Sequence, residues 1–325
     1  MINYLNFNID FKKDMYDCFS SNVGDFYKQL SYEEFCNNLF NHYEFDENGV
    51  FVAVEDDKVI GFICSFVRHV EKDNDDKHGY VSTFIVDKNY RHQGIGKALL
   101  NKAESYIKSC GKNKICFGYT CTLNWPWYIP NTNKHDHAGA PGACVNSDLY
   151  FFLLNNGYNI IDEEDAFHLD LNKFVMPKRV LDDLEKCKEE GISITLYDKE
   201  VHTGIEEFYE DIQDEGFERV IRYNLSLKEP KPFAVVVKDN KVYGWTGAFY
   251  TEPSGRAHFD GIIISSKVRG KGLGRALFAT LAEYSKTHGS EFMTFFTGRN
   301  NFARYIYLSL GFKIIQSFAV MEKEI

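Results

Sequence analysis

Two short runs in this chain carry residues suited to holding a polyphosphate. Arg91-His92-Gln93-Gly94-Ile95-Gly96-Lys97 and Arg269-Gly270-Lys271-Gly272-Leu273-Gly274-Arg275 both read R-x-x-G-x-G, 178 residues apart. The unpaired N–H groups at a helix start, together with the positive end of the helix dipole, favour an anion. Glycines there let the backbone approach a pyrophosphate closely enough for the amides to act as its ligands. One such run is a weak signal, since any strand–turn–helix can need two glycines. Here it occurs twice, each time after an apolar β run and before an amphipathic helix.

The elements that must position these loops repeat as well. Residues 80–111 and 258–289 each read as a strand, a polar turn, the loop and a helix ending at a Gly. Farther on, Asn146 precedes Gly157-Tyr158 by 11 positions, and Asn300 precedes Gly311-Phe312 by the same 11. From the loop Arg to that Gly the distance is 66 positions in the first copy and 42 in the second, which places 24 extra residues at 122–145. Upstream, 51–67 reads as two strands about Asp56-Asp57-Lys58, and 233–250 as their counterpart about Lys238-Asp239-Asn240,. Helical patterns precede each hairpin. The charged stretch 176–191 has the composition of a connector. The expected organisation is a module at 1–171, a connector at 172–191 and a second module at 192–325.

With these motifs the chain resembles the GNAT superfamily of acyl-CoA-dependent N-acetyltransferases over nearly its whole length. The second copy holds the family's later motif, N-x-x-A-x-x-x-Y-x-x-x-G-F, complete as Asn300, Ala303, Tyr307, Gly311 and Phe312. The resemblance implies an α+β fold of two GNAT-like modules, each a twisted mixed β-sheet flanked by helices and splayed to admit a pantetheine arm. It implies acetyl-CoA as cosubstrate, with pyrophosphate on residues 91–97 and 269–275. The pantetheine would then run along Phe84, Ile85 and Val86 in one module and along Ile262, Ile263 and Ile264 in the other. Asn146 and Asn300 join this cofactor-binding set by the same resemblance.

Acetyl transfer to an amine needs a neutral amine, a donor to the thioester oxyanion and a proton for the departing thiolate. Tyr307 stands where the family usually places a tyrosine acid, and a phenol with a pKa of about 10 is protonated at neutral pH. On a regular strand His258, Asp260, Ile262 and Ile264 share one face. Family members place proton acceptors at the first two of these positions. His258 would take up a proton near its ordinary pKa of about 6.5. Asp260 would orient it or relay protons through water, and ordered water alone is the alternative base. The first module departs at each place: Leu153 replaces the tyrosine, Leu149 the alanine, and Tyr80 and Ser82 stand where His258 and Asp260 do. The first module is therefore expected to bind acyl-CoA while being catalytically degenerate. The second is expected to acetylate a primary amine on a small molecule or peptide. The competing reading is an acyl-CoA-binding or regulatory protein without turnover.

Composition narrows the partners. The chain has 325 residues, 47 acidic against 37 Lys and Arg, and a net charge of −10, which argues against nucleic acid,. Backbone amides in the two loops can still serve a phosphorylated cofactor. No apolar run approaches the roughly 20 residues of a membrane helix, and the opening residues lack the basic flank of a signal peptide. Eight cysteines without a C-x-x-C pair read as free thiols of a reducing cytoplasm,. His135-Asp136-His137, with Cys144 downstream, has loose spacing for zinc, so a polar surface loop and no metal are expected. Trp125, Trp127 and Tyr128 beside it read as a packed aromatic segment. A homodimer is left open.

Overall fold

The chain begins with β1 (Asn3–Asn6), α1 (Lys12–Asn22) and α2 (Tyr32–Leu39) in the computed structural model, which describes residues 1–68, 77–118 and 125–325. A reciprocal cap starts α2: the Ser31 hydroxyl accepts from Glu34 N–H at 3.2 Å, and the Glu34 carboxylate accepts from Ser31 N–H at 2.7 Å,. Asp56 and Asp57 turn in the left-handed region, with φ of 49° and 60°. That turn joins β2 (Val50–Glu55) to β3 (Lys58–Val67) as the hairpin read from the sequence,. β4 (His78–Val86) pairs antiparallel with β3 along its length. α3 (Ile95–Ser109) follows, then β5 (Lys114–Phe117), which pairs parallel with β4 only at His78–Tyr80 against Lys114–Cys116. Beyond Tyr80 the parallel pairing with β5 ends, and, among the described residues, 81–86 pair with β3 alone.

The extra residues form β6 (Trp127–Tyr128), β7 (Asp136–His137) and β8 (Ala143–Cys144) before α4 (Asp148–Asn155) and β9 (Asn159–Asp170). Asp136 and His137 are buried, and the His137 ring stacks on Trp127 with centroids 5.2 Å apart. The polar surface loop expected here is thus corrected: apolar neighbours draw it inward. Among the described residues no group of three or more His, Cys, Asp or Glu side chains is disposed to hold a metal. Residues 119–124, with Cys121 and the start of the expected insertion, lie outside the described residues.

The second half repeats the plan. α5 (Lys178–Glu189), β10 (Ile192–Leu196), α6 (Ile205–Ile212) and α7 (Glu215–Ser226) precede the hairpin of β11 (Ala234–Lys238) and β12 (Lys241–Gly247). Asp239 and Asn240 supply its left-handed turn. β13 (Arg256–Ala257), β14 (Gly261–Ile264), α8 (Leu273–Thr287), β15 (Phe292–Gly298), α9 (Ala303–Ser309) and β16 (Lys313–Glu324) complete the chain. Arg256 pairs with Phe292 in parallel register, which is His78 with Lys114 displaced by the motif offset. β14 then pairs with β12. The strand expected to run unbroken through 258–264 is interrupted at 258–260, where Asp260 turns back to accept from Ala248 N–H at 3.0 Å.

Two compact units result, Met1–Asp165 with Gln316–Ile325, and Ala166–Ile315. These differ from the expected 1–171, 172–191 and 192–325 at three places. α5 belongs to the second unit: Val180 and Cys187 lie in one apolar core with Leu273, Ala276 and Leu277 of α8. The C-terminal strand belongs to the first unit, where Met321–Glu324 pair antiparallel with Lys114–Phe117. Residues 166–170 of β9 lie in the second unit, and there the Thr294 hydroxyl donates to the Phe167 carbonyl at 2.7 Å. Among the described residues no helix is long and apolar enough to cross a membrane.

Candidate functional site

Both glycine loops have the same backbone. Gly94 caps α3 and Gly272 caps α8, each in the left-handed region with φ of 83° and 76°, and each starts a helix of 15 residues. His92 and Gly270 occupy the matching left-handed position two residues earlier, with φ of 62° and 84°. The shared geometry is pinned by arginine: Arg91 Nε donates to the Val86 carbonyl at 3.1 Å, and Arg269 Nε to the Ile264 carbonyl at 3.2 Å. These guanidiniums therefore tie the loop to the end of the splayed strand. The free helix-start amides are left to face an anion.

In the first unit the loop opens onto a cleft of about 700 Å³. Val81–Val86 of β4 line it, as do Arg91, His92, Gly94, Gly96 and Lys97. Its far wall is aromatic, with Phe19, Phe26, Tyr27 and Trp125. Trp125 Nε1 donates to the Thr83 hydroxyl at 3.2 Å, and the Phe19 and Trp125 rings lie 4.5 Å apart. Burial pushes the Tyr27 phenol up to about 12, so it stays protonated,. The aspartate of the cleft, Asp148, pairs with Arg91 at 3.1 Å. A mostly apolar cleft with Arg91 and Lys97 in its lining suits a chain carrying a phosphate headgroup,.

In the second unit the loop lies beside α5. Asp183 pairs with Arg275, Glu190 with Lys271, and the Cys187 thiol donates to the Lys271 carbonyl at 3.7 Å. Where the strand is interrupted, His258 sits between two carboxylates. Its Nε2 is 2.6 Å from Asp260 Oδ1, and its Nδ1 is 3.3 Å from Glu252 Oε1. The imidazole stacks on Tyr250 at 4.1 Å, and Arg256 holds Glu252 from the other side. Burial works against the imidazolium, but the bonds to Asp260 and Glu252 outweigh it and carry His258 up to about 9,. Burial raises both carboxyls, yet the bond from His258 leaves each below its ordinary value.

Tyr307 lies 4% exposed in the aromatic core of the same unit, its ring 4.5 Å from Phe295 and 4.8 Å from Phe278. Burial pushes its phenol up to about 12, with a hydrogen bond to Thr297 working the other way. In the first unit Leu153 fills the matching core position, fully buried.

Of the cofactor set expected from the sequence, Phe84, Ile85, Val86, Arg91, His92, Gly94, Gly96 and Lys97 come together on the first cleft. Ile95 turns into the core, and Asn146 is exposed before α4, with φ of 67°. In the second unit Ile262, Ile263 and Ile264 are half-buried along β14, and Asn300 is exposed. Sequence reasoning missed Glu252, Asp183 and Glu190. Asp183 and Glu190 stand seven apart, two turns of helix, which already places them on one face. Glu252 gave no such signal, since an irregular loop brings it to His258.

The sequence profile of the acetyltransferase (GNAT) family matches residues 12–124 and 198–312. A curated relative, an uncharacterized N-acetyltransferase of Methanocaldococcus jannaschii, is 36% identical over 70 residues, 21% of this chain and 30% of that protein. The match thus spans less than a third of the relative's length. Among solved structures, the glucosamine N-acetyltransferase region of a fungal multi-domain GH3 β-N-acetylglucosaminidase superposes with a TM-score of 0.70 at 14% identity, covering 99% of this chain and 38% of that one. A GCN5-related N-acetyltransferase from Sphaerobacter thermophilus gives 0.63 at 14% identity, covering 99% and 95%. A tandem GNAT protein from the clavulanic acid pathway gives 0.60 at 13%, covering 100% and 98%. The chain belongs to the acetyltransferase (GNAT) family, in tandem form.

Proposed function

From that membership, we propose that this N-acetyltransferase moves an acetyl group from acetyl-CoA to a primary amine on a small molecule or peptide. Each unit binds acyl-CoA at its glycine loop, and the second unit carries the proton-transfer groups. The observation that carries the reading is the cleft itself. A pinned anion loop opens onto a cleft of about 700 Å³ lined by residues 81–86 of β4, which among the described residues pair with β3 alone.

In the second unit, the amine nitrogen attacks the thioester carbonyl carbon while its proton passes to His258, directly or through water. The carbon–sulfur bond then breaks and the thiolate takes the Tyr307 proton. Asp260 and Glu252 hold the imidazole by both nitrogens, which favours proton uptake. Seven free cysteines among the described residues fit a reducing, cytoplasmic setting,. Mixing the chain with acetyl-CoA and a panel of amines should release CoA thiol only when an acceptor is present. Tight acetyl-CoA binding without thiol release from any amine would favour the binding or regulatory reading instead.

A further inference from the structure

The two anion loops match in backbone and differ in what surrounds them. A Cβ placed on Gly94 would meet nothing within 4 Å among the described residues. The same atom on Gly272 would collide with the Asp183 carboxylate. Lys97 lines the open cleft, whereas Arg275, its counterpart at the motif offset, is held by Asp183. Lys271 is held by Glu190, and the Cys187 thiol reaches the loop carbonyl between them. The helix that brings these groups is fixed by its own apolar face, with Val180 and Cys187 buried against α8.

We propose that α5 is a built-in competitor for the second anion loop, so that acyl-CoA fills the first unit before the second. Asp183 and Glu190 already pair with two of the second loop's three cations, Arg275 and Lys271, whereas on the first loop the pair among the described residues is Arg91 with Asp148. A bound pyrophosphate must therefore displace two carboxylates and then bear their repulsion at close range. Since the apolar face keeps the helix seated, the carboxylate side chains swing aside while α5 stays. The competition is thus a graded penalty on affinity and leaves the loop intact. The inference rests on the acyl-CoA reading above, and deepens it by ranking the two loops.

The test is calorimetric titration of the full chain with acetyl-CoA. Two sites are expected, the second weaker by about tenfold or more. Asp183→Asn with Glu190→Gln should strengthen the second site and leave the first unchanged. Asp183→Asn alone, which keeps the side-chain shape, should give an intermediate value and guards against misfolding of the double variant. Lys97→Glu, which cancels the net positive charge of the first loop, should remove the tighter site. Two equal sites in the unaltered chain would overturn the competitor. So would a single site, lost in Lys97→Glu and not joined by another in the double variant. Absence of acetyl-CoA binding in every one of these proteins would overturn the acyl-CoA reading, and the competitor with it.

Discussion

His258 is caught between two demands on its proton. Flanking carboxylates carry it to about 9, so at neutral pH the free protein holds an imidazolium and the base form is in the minority. Activity that uses His258 as base should therefore climb with pH and level off near 9. Glu252→Gln removes one raising partner and should shift the midpoint downward by roughly one to two units. An unmoved pH–rate profile would remove both residues from the mechanism. Stability follows the opposite sense. A group whose folded pKa exceeds its ordinary value of about 6.5 stabilises fully below that value and loses the effect as pH rises through about 9. The gap in melting temperature between the parent and His258→Gln should accordingly be wide at pH 6 and shrink by pH 10. Tyr307 separates structure from chemistry more cleanly. Tyr307→Phe keeps the ring among Phe259, Phe278 and Phe295, so stability should change by only about 1 kcal/mol,. Turnover should fall by about a hundredfold or more if the phenol is the acid. Equal turnover would return Tyr307 to the core as a packing residue.

Among elements, the two capping glycines offer an internal comparison. Both need the left-handed region, where a Cβ costs about 1–2 kcal/mol,. Gly94→Ala adds no collision, whereas Gly272→Ala drives its methyl into Asp183. Denaturant midpoints should therefore fall further for Gly272→Ala, and Asp183→Ala in the same chain should recover part of the difference. Equal losses at both glycines would mean that α5 sits away from the loop. These loops and the two hairpins were legible from sequence because their backbone conformations restrict residue type: glycine at the caps, Asp-Asp and Asp-Asn at the turns. Strand alternation put His258 and Asp260 on one face, but they meet where the strand is interrupted, so the contact owes nothing to that alternation. What α5 does was hidden. Its charge suggests a connector, and its partner Gly272 lies far along the chain. Only the apolar spacing of Val180, Leu184 and Cys187 hinted that one face is buried,.

At the scale of the whole molecule, sequence order and spatial membership part company at the C-terminus. The run Phe318-Ala319-Val320-Met321 follows the second module directly, and contiguity alone assigns it there. A single sequence says nothing of which strand will be its neighbour. The chain instead spends this run on the first unit, where Met321 faces Phe117 and Glu324 faces Lys114. Glu322 accepts from Lys114 Nζ at 2.6 Å, and its other oxygen is 2.5 Å from His78 Nε2, joining the two strands whose parallel register sets up the splay. Phe318, Val320 and Met321 are fully buried, each contributing about 1.5–3 kcal/mol,. Together that rivals the roughly 5–15 kcal/mol by which a domain is stable at all. Deleting 316–325 should therefore leave β5 an open edge, collapse the first unit's unfolding transition and abolish acetyl-CoA binding at the first cleft. Amide hydrogen exchange should show lost protection across 78–86 and 95–117, while 273–287 stays protected. Retention of the first site in the truncated chain would mean that the cleft is held by its own half of the sequence. The exchanged strand would then be no part of what positions the cofactor.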